Sequence, residues 1–162
     1  LVSECRDFNV LLDALEGLPS ELPFEIVVGG SQARLGPNDQ SLLRHIQADG
    51  RFRLEMRDWF GMEELTELAA SCHYLLQMPD LDTTRVYTSS VQFFRNGLPR
   101  PLLAAWSESD LRYYDGRSLA EQMQLAVSEV QTGVWEERVS EMRRRKSTIK
   151  RENLSFLREL CS

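Results

Sequence analysis

The sequence predicts an α/β domain: a Rossmann-like, three-layer arrangement of about five short parallel strands flanked by helices and closed by a long C-terminal helix. Three observations lead there. Short apolar runs of strand length recur at 24–28, 74–78 and 101–105. Segments of about 10–15 residues with helical spacing of apolar side chains lie between them, the mark of βαβ units and a parallel sheet. Glycine and proline punctuate the joints. One domain accommodates all 162 residues with a real core.

Taken in order, Phe8, Leu11, Leu12 and Leu15 share one helical face from Asp7 onward, and Gly17 and Pro19 end that helix. The FEIVV run at 24–28 reads as a strand buried on both faces, with Gly29-Gly30-Ser31 at its carboxyl end. Gly36, Pro37 and Asn38 mark residues 33–40 as turn-rich, and a helix over 40–48 stops at Gly50. The RFRLEM run at 51–56 alternates, placing Phe52, Leu54 and Met56 on one side of a less completely covered strand. A helix at 62–71 turns Leu65, Leu68 and Ala69 inward, and 74–78 forms the next buried strand. A polar loop covers 79–85, a short helix 88–96 closes at Gly97 and Pro99, and 101–105 is a further strand. Residues 107–116 form a loop with one short strand near 111–113, and helices at 118–131 and 134–160 finish the chain.

A net charge of −6 and a pI near 5.0 argue against a nucleic-acid partner, because no global positive field attracts phosphate backbones. Cys5, Cys72 and Cys161 are scattered without metal-ligand spacing and read as reduced cytoplasmic thiols. No apolar run reaches the ~18 residues of a membrane span, and no signal peptide is recognisable. The start at Leu1, without Met, suggests a piece of a longer protein.

Two turns offer binding chemistry. Gly29 and Gly30 let a backbone approach a phosphate closely, although the pair lacks both GxGxxG spacing and a Walker lysine and equally suits a tight βα turn. Thr88, Ser89 and Ser90 sit where a helix begins after a buried strand; they cap that helix and present hydroxyls and free amides to an anion. His45 and His73 have no partners at ligand spacing and read as structural, and Asp80 and Asp82 as turn formers. Arg143 to Lys146, with Lys150 and Arg151, are interleaved with Glu136, Glu137, Glu141 and Glu152. They read as a solvated, salt-bridged face, with peripheral contact to an anionic membrane surface as the minority reading. Residue chemistry alone reaches a nucleotide- or phosphate-binding α/β domain.

The order of motifs goes further. CRDFNVLLDAL, FEIVVGG, EELTELAASCHYLLQMPD, RNGLPRPLLAA and YYDGRSLAEQMQLAV follow one another across nearly the whole chain. Together they resemble the C-terminal, nucleotide-sugar-binding half of GT-B fold glycosyltransferases, the retaining group that includes sucrose, glycogen and cell-surface polysaccharide synthases. The resemblance implies a UDP-, GDP- or ADP-linked sugar donor, a saccharide or glycoconjugate acceptor, and a preceding acceptor domain in the same protein. It implies that Gly29, Gly30, Thr88, Ser89 and Ser90 hold the donor diphosphate, with Arg6 or Arg85 neutralising its charge. Metal and cofactor are not implied, since helix dipoles and arginine can stabilise a leaving diphosphate. The family's ribose-contacting glutamate, five residues before the glycine matched by Gly97, falls on Gln92, and its sugar-contacting acid falls on Thr84. Gln92 can still hydrogen-bond a ribose without supplying charge. A rival expectation follows from those replacements: a non-catalytic GT-B-like domain serving protein interaction or regulation. A phosphate-binding enzyme of another doubly wound family is a third, with no motif of its own here.

Overall fold

The computed structural model describes residues 8–29, 35–58, 61–77, 98–104 and 117–160, and within them the chain is a mixed α/β structure of five helices and four short parallel strands. The first helix, α1 (Asn9–Glu16), buries Leu11 and Leu15 of the predicted stripe, with Phe8 buried just before it; Leu12 is only partly buried, and Ala14 joins the buried side. Strand β1 (Glu25–Gly29) pairs in parallel with β2 (Arg53–Arg57), from Glu25 opposite Arg53 to Gly29 opposite Arg57. Helix α2 (Pro37–Asp49) connects them. It starts three residues before the sequence reading because Pro37 occupies the first turn, where its fixed φ suits a helix and its missing N–H is not needed. Gly50 ends it at φ 69°, a left-handed conformation that favours glycine.

Helix α3 (Met62–Ser71) leads into β3 (Leu75–Gln77), which pairs in parallel with β4 (Leu102–Ala104). Helix α4 (Leu119–Thr132) opens with a capping box in which Ser118 and Glu121 each satisfy the other's backbone N–H. It closes at Gly133, φ 79°, and α5 (Val134–Leu160) starts at once. At 27 residues, α5 is about 40 Å long. No helix among the described residues is long and apolar enough to cross a membrane.

Burial resolves the layers. Ile26 and Leu54 share the main core with Leu11 and Leu15 of α1, Leu43 and Ile46 of α2, and Met123 and Ala126 of α4. Leu65 and Ala69 of α3 form a separate cluster with Leu75 and Leu98 on the other side of the strands. Strand periodicity agrees, since Leu76 packs on the main core while Leu75 packs on α3. Phe52, Leu54 and Met56 do lie on the covered side, as the alternation of the RFRLEM run predicts.

Two expectations need correction. The first strand is not buried on both faces: Glu25 is exposed and pairs with Arg53 at 3.0 Å, and Glu55 and Arg57 continue that polar face. α3 covers it only at the Gly29 end, where its Leu68 and Leu65 meet the strand. Phe24 precedes the strand and stacks on Phe52 with ring centroids 4.7 Å apart. Second, the described strands form two sheets of two, β1-β2 and β3-β4, instead of one sheet. The expected strand near 111–113 and the helix at 88–96 lie outside the described residues.

Candidate functional site: the seam between the two sheets

A cavity of about 650 Å³ lies between the two sheets. Its lining identifies the strands that border it. Residues 23–29 all contribute, as do residues 71–76, without the skipping that alternating side chains would give. Consecutive residues of a strand line a space together when the backbone edge, and not one face, is turned toward it. Among the described residues, the edge of β1 away from β2 and the edge of β3 away from β4 are therefore the two long walls.

These strands also run the same way. Helix α3 leads into β3 and packs back on it through Leu65 and Ala69, so the first turns of α3 lie near the carboxyl end of β3. Gly29, at the carboxyl end of β1, lies against Leu65 and Leu68 of that same part of α3. Both carboxyl ends thus point to one side. From β1 the chain crosses to β2 on one flank; from β3 it continues to β4 on the other. The seam is where the strand order reverses, the place at which open α/β sheets form a crevice for ligands.

Gly29 is the one sequence-predicted site residue among those described. A Cβ there would lie 3.3 Å from Leu68 Cδ2 and 3.7 Å from Leu65 Cδ1, so this glycine lets α3 approach the end of β1 closely. Arg6, Gly30, Thr84, Arg85, Thr88, Ser89, Ser90 and Gln92 lie outside the described residues, as do Asp80 and Asp82. By chain order Gly30 follows β1 directly, and 84–92 lie between β3 and β4.

The crevice is mostly apolar, with Leu103, Met123, Ala126, Val127 and Val130 toward α4. Its polar lining includes Glu25, Glu55, Arg57, Ser71, Cys72 and Gln131. Glu55 and Arg57 form an ion pair that lowers the carboxylate's pKa and raises the guanidinium's. Burial pushes the Cys72 thiol up, against a smaller opposing pull from its hydrogen bond with Ser71 and from Arg100 and Arg57, so it is a neutral wall group near pH 7. No group of three or more metal-ligating side chains occurs among the described residues. A volume of this size suits a drug-sized or nucleotide-sized ligand.

The opposite, amino ends of β3 and β4 carry a polar cluster that periodicity reading missed. Glu129 of α4 is 5% exposed, accepts a hydrogen bond from the Tyr74 hydroxyl at 2.6 Å, and pairs with Arg138 Nη2 at 2.7 Å. Beside it the Trp135 indole donates to the His73 carbonyl at 2.9 Å, and the two rings meet edge to face at 4.8 Å. Arg100 stacks over Trp135 and donates to the Ala70 carbonyl at the end of α3. These contacts dock α5 and fix the loops before β3 and β4. His73 also lines the cavity, and His45 is exposed on α2. One signal for the cluster is visible in the sequence: Glu129 continues the buried stripe of Leu119, Met123 and Ala126, where a carboxylate demands a partner. The basic run of α5 is exposed, with Glu141 bridging Arg144 and Arg145. No family model, curated protein or solved structure matches this chain.

Proposed function

We propose that this chain is the donor-binding domain of a glycosyltransferase, holding a nucleotide diphosphate sugar for transfer to a saccharide or glycoconjugate acceptor presented by a preceding domain. One observation carries the reading most: the crevice lies at the reversal of strand order, with Gly29 at its carboxyl rim. On this reading the single-sheet Rossmann-like plan extends to further strands, and the turn after β1 with the segment between β3 and β4 closes over the diphosphate. Gly29, Gly30, Thr88, Ser89 and Ser90 supply amides and hydroxyls, Arg6 or Arg85 the compensating charge, and Gln92 a hydrogen bond to the ribose. The motif order along the chain supports this assignment independently of the crevice.

A second reading has its own support. Gln92 and Thr84 stand where donor-contacting carboxylates are expected, and a site with unpaired ribose hydroxyls loses affinity. A domain that has lost donor binding and serves protein interaction has this pattern. Calorimetric titration with UDP, GDP and ADP separates the two. Saturable binding of one nucleotide, weakened by Arg6→Ala or Ser90→Ala, sustains the donor site and names its base. Absence of binding up to about 1 mM, a free energy weaker than about −4 kcal/mol, in a protein that includes any preceding domain, overturns it in favour of the interaction role.

A further inference from the structure

We propose that the distal half of α5 is a docking surface for an anionic membrane, lying along the headgroup layer without crossing it. This surface is separate from the crevice and independent of the nucleotide reading.

Helix α5 is held to the domain by its first turns. Trp135 and Arg138 tie it to the amino-end cluster, and Val139 is 3% exposed. Beyond Met142 the surroundings change: residues 143–147 and 149–151 are all exposed. At 1.5 Å per residue the helix runs about 27 Å past Met142. A helical segment of that length draws most of its stability from laying an amphipathic face against something.

Two features identify the surface it fits. The first is charge. Residues 141–151 hold six cations, Arg143, Arg144, Arg145, Lys146, Lys150 and Arg151, against one carboxylate, Glu141. Glu141 bridges both Arg144 and Arg145, so a single anion answers two cations and the segment keeps its positive excess. The whole chain carries −6, so this excess is local and stands against an acidic remainder. An anionic bilayer attracts such a cluster at short range, while the remainder is screened beyond a Debye length of about 8–10 Å.

The second is apolar register. Ile149 stands 56% exposed in the middle of the cations. At 3.6 residues per turn, positions 142, 149, 156 and 160 fall within about 40° of one another, and the sequence places Met, Ile, Phe and Leu there. Position 145 borders this stripe at about 40° from Ile149 on one side, and 146 and 150 at about 60° and 100° on the other. Cations so placed rest their methylenes on the apolar boundary and reach headgroup phosphates with their charge. A nucleic acid would meet the same charge, but it gives Ile149 and its register nothing apolar to enter. A bilayer takes both, with α5 in its plane, since no helix among the described residues is apolar enough to cross.

The test is co-sedimentation of the protein, including any preceding domain, with vesicles of phosphatidylcholine alone or with about 30% phosphatidylglycerol. Binding to the anionic vesicles is expected to be at least about tenfold tighter than to the neutral ones, and to be lost in about 1 M salt. Lys146→Gln with Lys150→Gln should weaken it by about tenfold or more. Ile149→Ser, at an exposed site that leaves the fold intact, should weaken it by about fivefold or more. Arg44→Gln with Arg53→Gln removes two exposed cations elsewhere and should stay within about twofold. Thermal unfolding checks that each variant is folded. Equal affinity for neutral and anionic vesicles, or none for either, overturns the proposal. So does anionic-vesicle binding that both α5 variants leave unchanged. A nucleic-acid duplex that binds more tightly than the vesicles, and loses that binding in the double lysine variant but not in Ile149→Ser, overturns it in favour of nucleic acid. Vesicle binding weakened by the lysine variant alone upholds the docking surface and removes its apolar contact.

Discussion

Replacing Glu129 with alanine is the sharpest test of how the strand ends are held. Its carboxylate is 5% exposed and is shared by the Tyr74 hydroxyl at 2.6 Å and the Arg138 guanidinium at 2.7 Å. The Arg138 side chain is itself only 16% exposed, so the truncation takes the shared counter-ion from a largely desolvated cation. Breaking a buried pair from one side costs about 3–5 kcal/mol, and partial access of water to Arg138 points to the lower end, about 3 kcal/mol. With a urea m-value of about 2 kcal/mol/M, the midpoint moves down by about 1.5 M. For a chain of this size the melting temperature falls by about 6–12 °C. Tyr74→Phe, which removes one hydroxyl, costs about 1 kcal/mol, and Glu129→Gln falls between the two. Urea unfolding followed by circular dichroism and by Trp fluorescence reads all three. A midpoint shift under about 0.5 M for Glu129→Ala would refute the claim that this carboxylate docks α5 to the amino end of β3.

Three further outcomes follow from local geometry. Gly133→Ala is expected to destabilise the chain by about 1–2 kcal/mol because residue 133 sits at φ 79° between α4 and α5, whereas Gly29→Ala costs less than about 1 kcal/mol since the half-buried Leu68 side chain can yield; thermal unfolding compares them. Hydrogen bonds and charge from Arg144 and Arg145 lower the Glu141 pKa to about 2, so carbon-detected NMR at low salt should place its midpoint there and move it upward in 1 M salt. A depressed carboxylate pKa contributes stability that is present above the unfolded value of about 4.3 and is lost as pH falls through about 2; a midpoint near 4 at low salt would contradict the paired geometry. In a Cys5→Ser/Cys161→Ser background, alkylation of Cys72 at pH 8 should be slower than in the urea-unfolded chain, because burial raises the thiol's pKa; equal rates would show a freely exposed thiol.

Much of this architecture was legible in the sequence because periodicity reports which face of an element is covered. Phe8, Leu11 and Leu15 at α1, the Phe52, Leu54 and Met56 side of the second strand, and Leu65 and Ala69 of α3 are all where spacing puts them. Edges are another matter. A run such as EIVVG carries no mark of which neighbour, if any, pairs with each side of it, so the division into two sheets and the crevice between them were not readable. The run also looked more apolar than the sheet is, because Glu25, Arg53, Glu55 and Arg57 gather on one face only after β1 and β2 adopt their register. The start of α2 was hidden by Gly36-Pro37-Asn38, which suits a turn and a helix first turn alike. Tyr74 meets Glu129 across 55 residues of chain, with Arg138 on the same carboxylate, a juxtaposition that no local pattern encodes. Of the residues the sequence offered for the site, Gly29 at the end of the first strand is the one described; the reversal of strand order came only from the fold.

The most direct test of the central claim is an amide NMR titration of the ¹⁵N-labelled chain with UDP, GDP and ADP, following resonances at both ends of the seam. The donor-site account predicts that one nucleotide shifts the carboxyl-end amides of 27–29 and 76–77 first, saturably, while 73, 100 and 135 stay unmoved. Shifts confined to that amino-end cluster, or scattered without saturation over the exposed arginines of α5, would contradict it.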